Sequence, residues 1–205
     1  MNLGRHSIRR EVAPGTELLA AGERADSYAN ILSGVVKLYK LMSDGRKQLV
    51  GLQFAPDFLG RPFADSGEVT AEAASTVRIC SFPRSVLEAM ICQSPGFERR
   101  LHEQALRELD EAREWMMTLG RKSAAEKVAS FLLLVGRHAD PSPDGRATQF
   151  EIPLERADIA DFLGLTIETV SRQLTLLRKA GIIDITRNRH ATVTDPSSLV
   201  TASGV

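Results

Sequence analysis

The run from Asp158 to Ile183 restricts the fold of this chain more than any other stretch. Ile159, Ala160, Phe162 and Leu163 follow the three-and-four spacing that gives one apolar helical face. Gly164 then ends that helix, because glycine enters the left-handed conformation of a helix exit without steric cost. Thr166 is a good N-cap for a second helix, and Glu168 falls where the positive helix end favours a carboxylate. The capping box is incomplete, since Thr169 stands where Glu or Gln would complete it. Ile167, Val170, Leu174 and Leu177 are expected to form the inward stripe, with Ser171, Arg172, Thr175 and Arg178 on other faces and Gly181 as the stop. Two short helices around a glycine turn, at about 155–180, have the layout of a helix-turn-helix whose second helix enters the DNA major groove.

The residue types on that second helix suit base edges. Arginine can donate two parallel hydrogen bonds to guanine, and glutamate can accept from the cytosine amino group. Glu168 and Arg172 are four apart and share one face near the helix N-terminus. The same spacing makes a surface ion pair worth a few tenths of a kcal/mol, but the turn, the cap and the preceding helix favour DNA. Beyond the helix, Ile182–Thr186 and Ala191–Thr194 are β-prone runs flanking Arg187–His190, the pattern of a hairpin. Arg187 and Arg189 are suited to phosphate contact there, and a merely polar hairpin tip explains them equally well.

Charge is concentrated and not global. The chain balances 26 Lys and Arg against 26 Asp and Glu, so no general affinity for polyanions follows. From Thr166 to His190, five basic residues (Arg172, Arg178, Lys179, Arg187 and Arg189) face two acids (Glu168 and Asp184), a net of +3. A DNA reader needs that local excess on one surface.

At 205 residues, two small domains are expected. The first half reads as β: Ala29–Leu41 is one long strand-like run, Ser43–Arg46 is a hairpin turn through Asp44-Gly45, and Lys47–Phe54 is the return strand. Val69–Phe82 adds at least one more hairpin, and a small antiparallel barrel or jelly roll follows. A long helix at about 97–119 carries Leu101, Ala105, Leu109, Ala112, Met116 and Leu119 in a near-heptad seam that can pack on its own domain or on a twin. Lys122–His138 reads as a further helix, and Ala139–Thr148, with Pro141, Pro143 and Gly145, as a loop. The longest apolar stretch, Val128–Val135, is too short to span a membrane, and Arg5, His6, Arg9 and Arg10 argue against a signal peptide. Two cysteines, Cys80 and Cys92, make no disulfide framework, which fits a reducing cytoplasm.

The segment Leu163-Gly-Leu-Thr-Ile-Glu-Thr-Val-Ser-Arg172 closely resembles the recognition motif of the CRP/FNR superfamily of bacterial transcription regulators. Its Glu-x-x-Ser-Arg core is similar to the FNR and FixK branch. The cyclic-AMP branch carries Arg-Glu-x-x-x-Arg, and Ile167 stands where that branch has arginine. The resemblance implies an α+β chain that is a regulator and not an enzyme. Its parts would be a cyclic-nucleotide-binding-like sensory β-roll (jelly roll) over 1–96, a dimerisation helix over 97–120, a winged helix-turn-helix over 121–198 and a tail over 199–205. It assigns base contact on a TTGAT-type half-site to Glu168, Ser171 and Arg172, with Thr166, Ile167, Thr169, Gln173, Arg187 and Arg189 as backbone or accessory contacts. It also tips the seam of the long helix toward a homodimer, which brings two recognition helices onto a palindrome. The turn around Asp44 resembles a surface that contacts RNA polymerase, and the branch implies gene control by oxygen, redox state or nitrogen oxides.

The resemblance also frames the signal. Cyclic-nucleotide pockets of the family use a Gly-Glu pair and an Arg-Ser-Ala or Arg-Thr-Ala segment. Here Arg61 stands in place of the glutamate, and Val69-Thr-Ala-Glu-Ala73 puts Glu72 where a phosphate needs a cation, so cyclic AMP is disfavoured. FNR proteins hold a 4Fe–4S cluster on three N-terminal cysteines and one strand cysteine, and Cys80 matches the strand position. Two explanations remain: a FixK-like protein without a cluster, in which Cys80 is a buried small hydrophobe, or an upstream leader carrying the other three ligands. The first is preferred, because two cysteines cannot hold the cluster and no cofactor is then expected. Oxidation of Cys80 or Cys92 as a switch stays open as a reading, and the inert one is preferred because nothing in the sequence marks either thiol as reactive. His6, His102, His138 and His190 are too scattered for haem or a cupin metal site, and no catalytic motif stands out. An adaptor retaining a degenerate helix-turn-helix is the remaining alternative, and it predicts no salt-dependent DNA binding.

Overall fold

A computed structural model describes residues 7–139 and 148–204, which fall into two compact units divided between Ala112 and Arg113. The expected loop at 139–148 lies largely outside the described residues.

The first unit is a β-roll followed by helices. Its strands are β1 (Ile8–Val12), β2 (Glu17–Leu19), β3 (Ser27–Ser33), β4 (Val35–Leu41), β5 (Lys47–Phe54), β6 (Phe58–Leu59), β7 (Thr70–Ala73) and β8 (Val77–Pro83). They make two four-stranded sheets, ordered β1-β8-β3-β6 and β2-β7-β4-β5, with every pairing antiparallel. Alternate residues of both sheets meet in one core, in which Ile31, Val77 and Ile79 of the first sheet pack with Val36, Ala71 and Ala73 of the second.

The run expected as a single strand over Ala29–Leu41 is two strands in different sheets. The chain leaves the first sheet at Gly34, whose φ of +89° is open to glycine and strained for other residues. It meets there the segment from β7 to β8, which makes the reverse change of sheet. The Val35 carbonyl accepts from the Ala74 N–H at 2.9 Å, and the Val35 N–H donates to Ser75 Oγ at 3.0 Å. For the same reason Val69–Phe82 holds no hairpin, since β7 pairs with β2 and β4 while β8 pairs with β1 and β3. The β4–β5 hairpin through Asp44-Gly45 forms as expected, with Asp44 accepting from the Arg46 N–H at 3.0 Å and its guanidinium at 2.8 Å.

Helix α1 (Arg84–Gln93), which the sequence reading missed, lays Leu87 and Ile91 on an outer cluster with Tyr28, Phe58, Cys80 and Phe82. Helix α2 (Pro95–Arg121) is two residues longer at each end than expected, and the division between the compact units falls inside it.

The second unit packs α3 (Ala124–Ala139) through buried Val128, Phe131, Leu132 and Val135. It continues with β9 (Gln149–Glu151), α4 (Arg156–Leu163), α5 (Ile167–Lys179), β10 (Ile183–Thr186), β11 (His190–Val193) and α6 (Pro196–Ala202). The short strand β9 was not anticipated and completes a sheet ordered β10-β11-β9. The residues expected as a tail from 199 are helical through Ala202. Asp195 caps α6 by accepting from the Ser198 N–H at 3.0 Å, and Leu199 is buried. The Ser197 and Ser198 hydroxyls and that N–H hold the Asp195 carboxyl down at about 2.

A Cβ at residue 34 would press into the Thr76 carbonyl as well as strain the backbone. Gly34→Ala is therefore expected to destabilise the chain by about 1–3 kcal/mol, read as a lower urea midpoint with an unchanged m-value.

Candidate nucleic-acid interface

Local chemistry builds the turn between α4 and α5. Gly164 takes φ 60° and ψ 43°, and the following Leu165 N–H donates back to the Ala160 carbonyl at 2.9 Å. Thr166 then caps α5: its hydroxyl oxygen accepts from the Thr169 N–H at 3.2 Å, and the two threonine hydroxyls lie 3.1 Å apart. Ile159, Ala160, Phe162 and Leu163 of α4 are buried, as are Val170, Leu174 and Leu177 of α5. Phe162 packs on Trp115 with ring centroids 4.6 Å apart and on Phe131 at 6.2 Å.

Ile167 departs from the expected stripe and is 46% exposed. Side chains lean toward a helix N-terminus, so the one at the first position reaches past the face that α4 covers. Glu168, Ser171 and Arg172 are exposed together on the solvent side, flanked by the half-buried Thr169 and Gln173. No ion pair joins Glu168 to Arg172 among the described residues, so neither charge is committed to the other. The backbone N–H at Glu168, and then the Thr166 side chain, hold the Glu168 carboxyl below its usual range, which keeps it an ionised acceptor.

The hairpin β10–β11 pairs Ile183 with Val193 and Thr186 with His190. Arg187 and Asn188 both take positive φ, 49° and 62°, in its tight turn. Of the two arginines expected to meet DNA, Arg187 is exposed, whereas Arg189 is half-buried and paired with Glu155 at 3.2 Å. Neighbouring contacts grip the same turn: the Ile152 N–H donates to the Arg189 carbonyl at 2.7 Å, and Arg156 Nη2 donates to the Asn188 carbonyl at 3.2 Å. The sequence reading missed Arg156, since nothing local links it to a turn 32 residues away.

The seam of α2 divides. Leu101 packs half-buried against the outer cluster of the β-roll, whereas Ala105, Leu109, Ala112, Met116 and Leu119 are exposed. Cys80 is buried on β8 within that cluster, and Cys92 is exposed.

The β-roll holds a cleft of about 320 Å³. Arg61 lines it, but Glu72 does not, which corrects the expectation of a carboxylate in a phosphate site. Strand alternation turns Ala71 toward the cleft and Glu72 to the other face, where it pairs with Lys37 at 2.9 Å and Lys47 at 3.7 Å. The charged lining is Arg24 and Arg61 against Glu23, Asp26 and Glu108, a net of −1 that does not suit a cyclic phosphate.

A capped, solvent-facing helix beside a gripped hairpin, carried with a β-roll, defines a winged helix-turn-helix regulator. Residues 126–202 match the Crp-like helix-turn-helix domain, and residues 9–94 match the cyclic nucleotide-binding domain. A protein of Rhizobium leguminosarum bv. viciae described as "Probable transcriptional activator" is 56% identical over 96% of this chain and 82% of its own length. The nitrogen fixation regulation protein FixK of Bradyrhizobium diazoefficiens is 41% identical over 90% and 76%. The structure of FixK2 from Bradyrhizobium japonicum superposes with a TM-score of 0.88 at 31% identity, covering 97% of this chain and 98% of that one. The chain belongs to the CRP/FNR family of DNA-binding transcription regulators, in its FixK-like branch.

Removing the Thr166 cap leaves an N-terminal amide of α5 without its acceptor. Thr166→Ala should cost about 1 kcal/mol, seen as a lower melting temperature in a calorimetric scan.

Proposed function

We propose that this regulator reads a TTGAT-type palindrome as a homodimer, with Glu168, Ser171 and Arg172 on the base edges of each half-site. The observation that carries this reading is their joint exposure, with no ion pair between Glu168 and Arg172, at the capped end of α5 above a buried Val170–Leu174–Leu177 stripe. Arg172 suits the guanine of the half-site and Glu168 the cytosine opposite it. Ile167 offers an apolar contact to a thymine methyl, Thr166, Thr169 and Gln173 border the same surface, and Arg187 suits a phosphate. Arg189 acts through the wing, since Glu155 already holds it.

Dimerisation is supported by the apolar row on α2. Leu109 is 44% exposed and Met116 is 72% exposed, seven residues apart on one stripe. The interface therefore begins at Ala105 and not at Leu101. The likeness to chains described as activators supports transcription activation, with the exposed Asp44 turn as the surface for RNA polymerase and oxygen, redox state or nitrogen oxides as the class of signal. The two cysteines do not fit a 4Fe–4S cluster, which takes four thiolates, so the reading uses neither a cluster nor a cyclic nucleotide. No described helix is long and apolar enough to cross a membrane, and a bacterial cytoplasmic location is the one that fits a DNA reader.

Arg172→Ala should lose about 1–3 kcal/mol on a TTGAT palindrome in a fluorescence anisotropy titration and relax its preference over a scrambled duplex. Equal affinity of variant and wild type would remove Arg172 from the reading set, and no salt-dependent binding by the wild type would favour the adaptor. Leu109→Glu combined with Met116→Glu should convert the dimer to a monomer in sedimentation velocity. A wild type that sediments as a monomer would overturn the α2 interface.

A further inference from the structure

The apolar row of α2 is short and weakly directional. Ala105, Leu109, Ala112, Met116 and Leu119 are spaced by four and three residues in turn. Counted in heptads, Leu109 and Met116 stand at a, and Ala105, Ala112 and Leu119 stand at d. Such a row attracts a twin but fits it equally well parallel, antiparallel or slipped by one heptad. Direction and register are left to the e and g positions that flank the seam.

Those flanks are almost free of charge. Of the g positions, Leu101 packs on its own β-roll and Trp115 on Phe162, which leaves Glu108. The e positions are Leu106, Arg113 and Gly120. One acid and one base therefore flank the seam, and both are exposed. In a parallel, unslipped pair, a g residue faces the e residue five positions further along the other helix. Glu108 then faces the partner's Arg113, and two-fold symmetry repeats the contact on the other flank. An antiparallel pair sets g against g and e against e, which offers Glu108 no cation. A slip of one heptad puts the partner's Leu106 or the partner's Gly120 opposite Glu108 instead. Opposite charges meet in the parallel, in-register arrangement and in none of the others.

The surroundings of Glu108 point the same way. The Gln104 amide donates to its carboxylate at 3.0 Å from one turn earlier on α2. Lost hydration beside the β-roll cleft is the main influence on the carboxyl and raises it; the Gln104 amide opposes this, and Asp57 and Glu111 raise it further. Arg24 and Arg61 line the same cleft, yet no cation of the chain is among the groups that shift Glu108. A carboxylate set beside Asp57 and Glu111 gains from a cation that a second chain brings.

We propose that Glu108 and the partner's Arg113 form an ion pair on each flank of the α2 seam, and that the two pairs fix the helices parallel and in register and select the chain's own twin as partner. The pairing rests on the reading that α2 is the dimer interface, and it adds the choice of direction, register and partner that the apolar row lacks. Direction matters to the function, because two recognition helices must reach one duplex about one DNA turn apart.

The test introduces Glu108→Arg and Arg113→Glu into the full chain, separately and together. Each single reversal sets like charges on both flanks and should raise the dimer Kd on the order of tenfold in sedimentation velocity. The double reversal should return the Kd to the wild-type value. The decisive measurement mixes the two single variants, one of them carrying a mass tag, and counts the dimers by native mass spectrometry. A mixed dimer has opposite charges on both flanks, so it should form about nine-tenths of the dimers, against about half for random pairing. Random pairing overturns the ion pair even if the double reversal recovers the wild-type Kd, since that outcome places the contact within one chain. Single variants with an unchanged Kd overturn it too. Should either single variant fail to fold, Glu108→Lys mixed with Arg113→Asp repeats the measurement. If the pair fails while the wild type stays dimeric, the α2 seam stands; a monomeric wild type defeats seam and pair together.

Discussion

The interface depends on how Phe162 is seated. Its ring lies against Trp115 of α2 and Phe131 of α3, so the first helix of the helix-turn-helix is fixed to two other helices by aromatic packing. With α4 anchored, Gly164 and Thr166 set where α5 begins, and the buried faces of Val170, Leu174 and Leu177 set how it is rotated. The exposure of Glu168 and Arg172 is then the remainder of a packing problem solved from inside the domain. Charge enters late, because these side chains contribute little to folding and are free to be chosen for what they touch.

Where structure was local, the residues revealed it. The α4 exit, the α5 cap and the Asp44-Gly45 turn each depend on neighbours within five positions, and all three form as anticipated. Strand runs were less readable, because alternation reports which face a residue occupies and not which sheet it joins. Thus Ala29–Leu41 looked continuous although Gly34 passes the chain from one sheet to the other. Helix α1 has only Leu87 and Ile91 as its buried signal, too little to stand out beside a strand.

The site divides along the same line. The face bearing Glu168, Ser171 and Arg172 followed from helical spacing, whereas Ile167 left the stripe because it is an end residue. The pairing of Arg189 with Glu155, the approach of Arg156 to Asn188 and the turning of Glu72 toward Lys37 join residues more than thirty positions apart. No local pattern encodes such contacts; they exist only after the sheets and helices have closed.

The grip on the hairpin turn by Ile152, Glu155 and Arg156 has a consequence for association. The exposed ion pair adds little by itself, but together with two hydrogen bonds to backbone carbonyls it leaves Asn188 and Arg189 few alternative conformations. Their conformational entropy is therefore lost when the domain folds and not when a duplex arrives. The hairpin turn is thus held in one shape before any partner arrives, and a partner that docks there meets no ordering step at that edge of the domain.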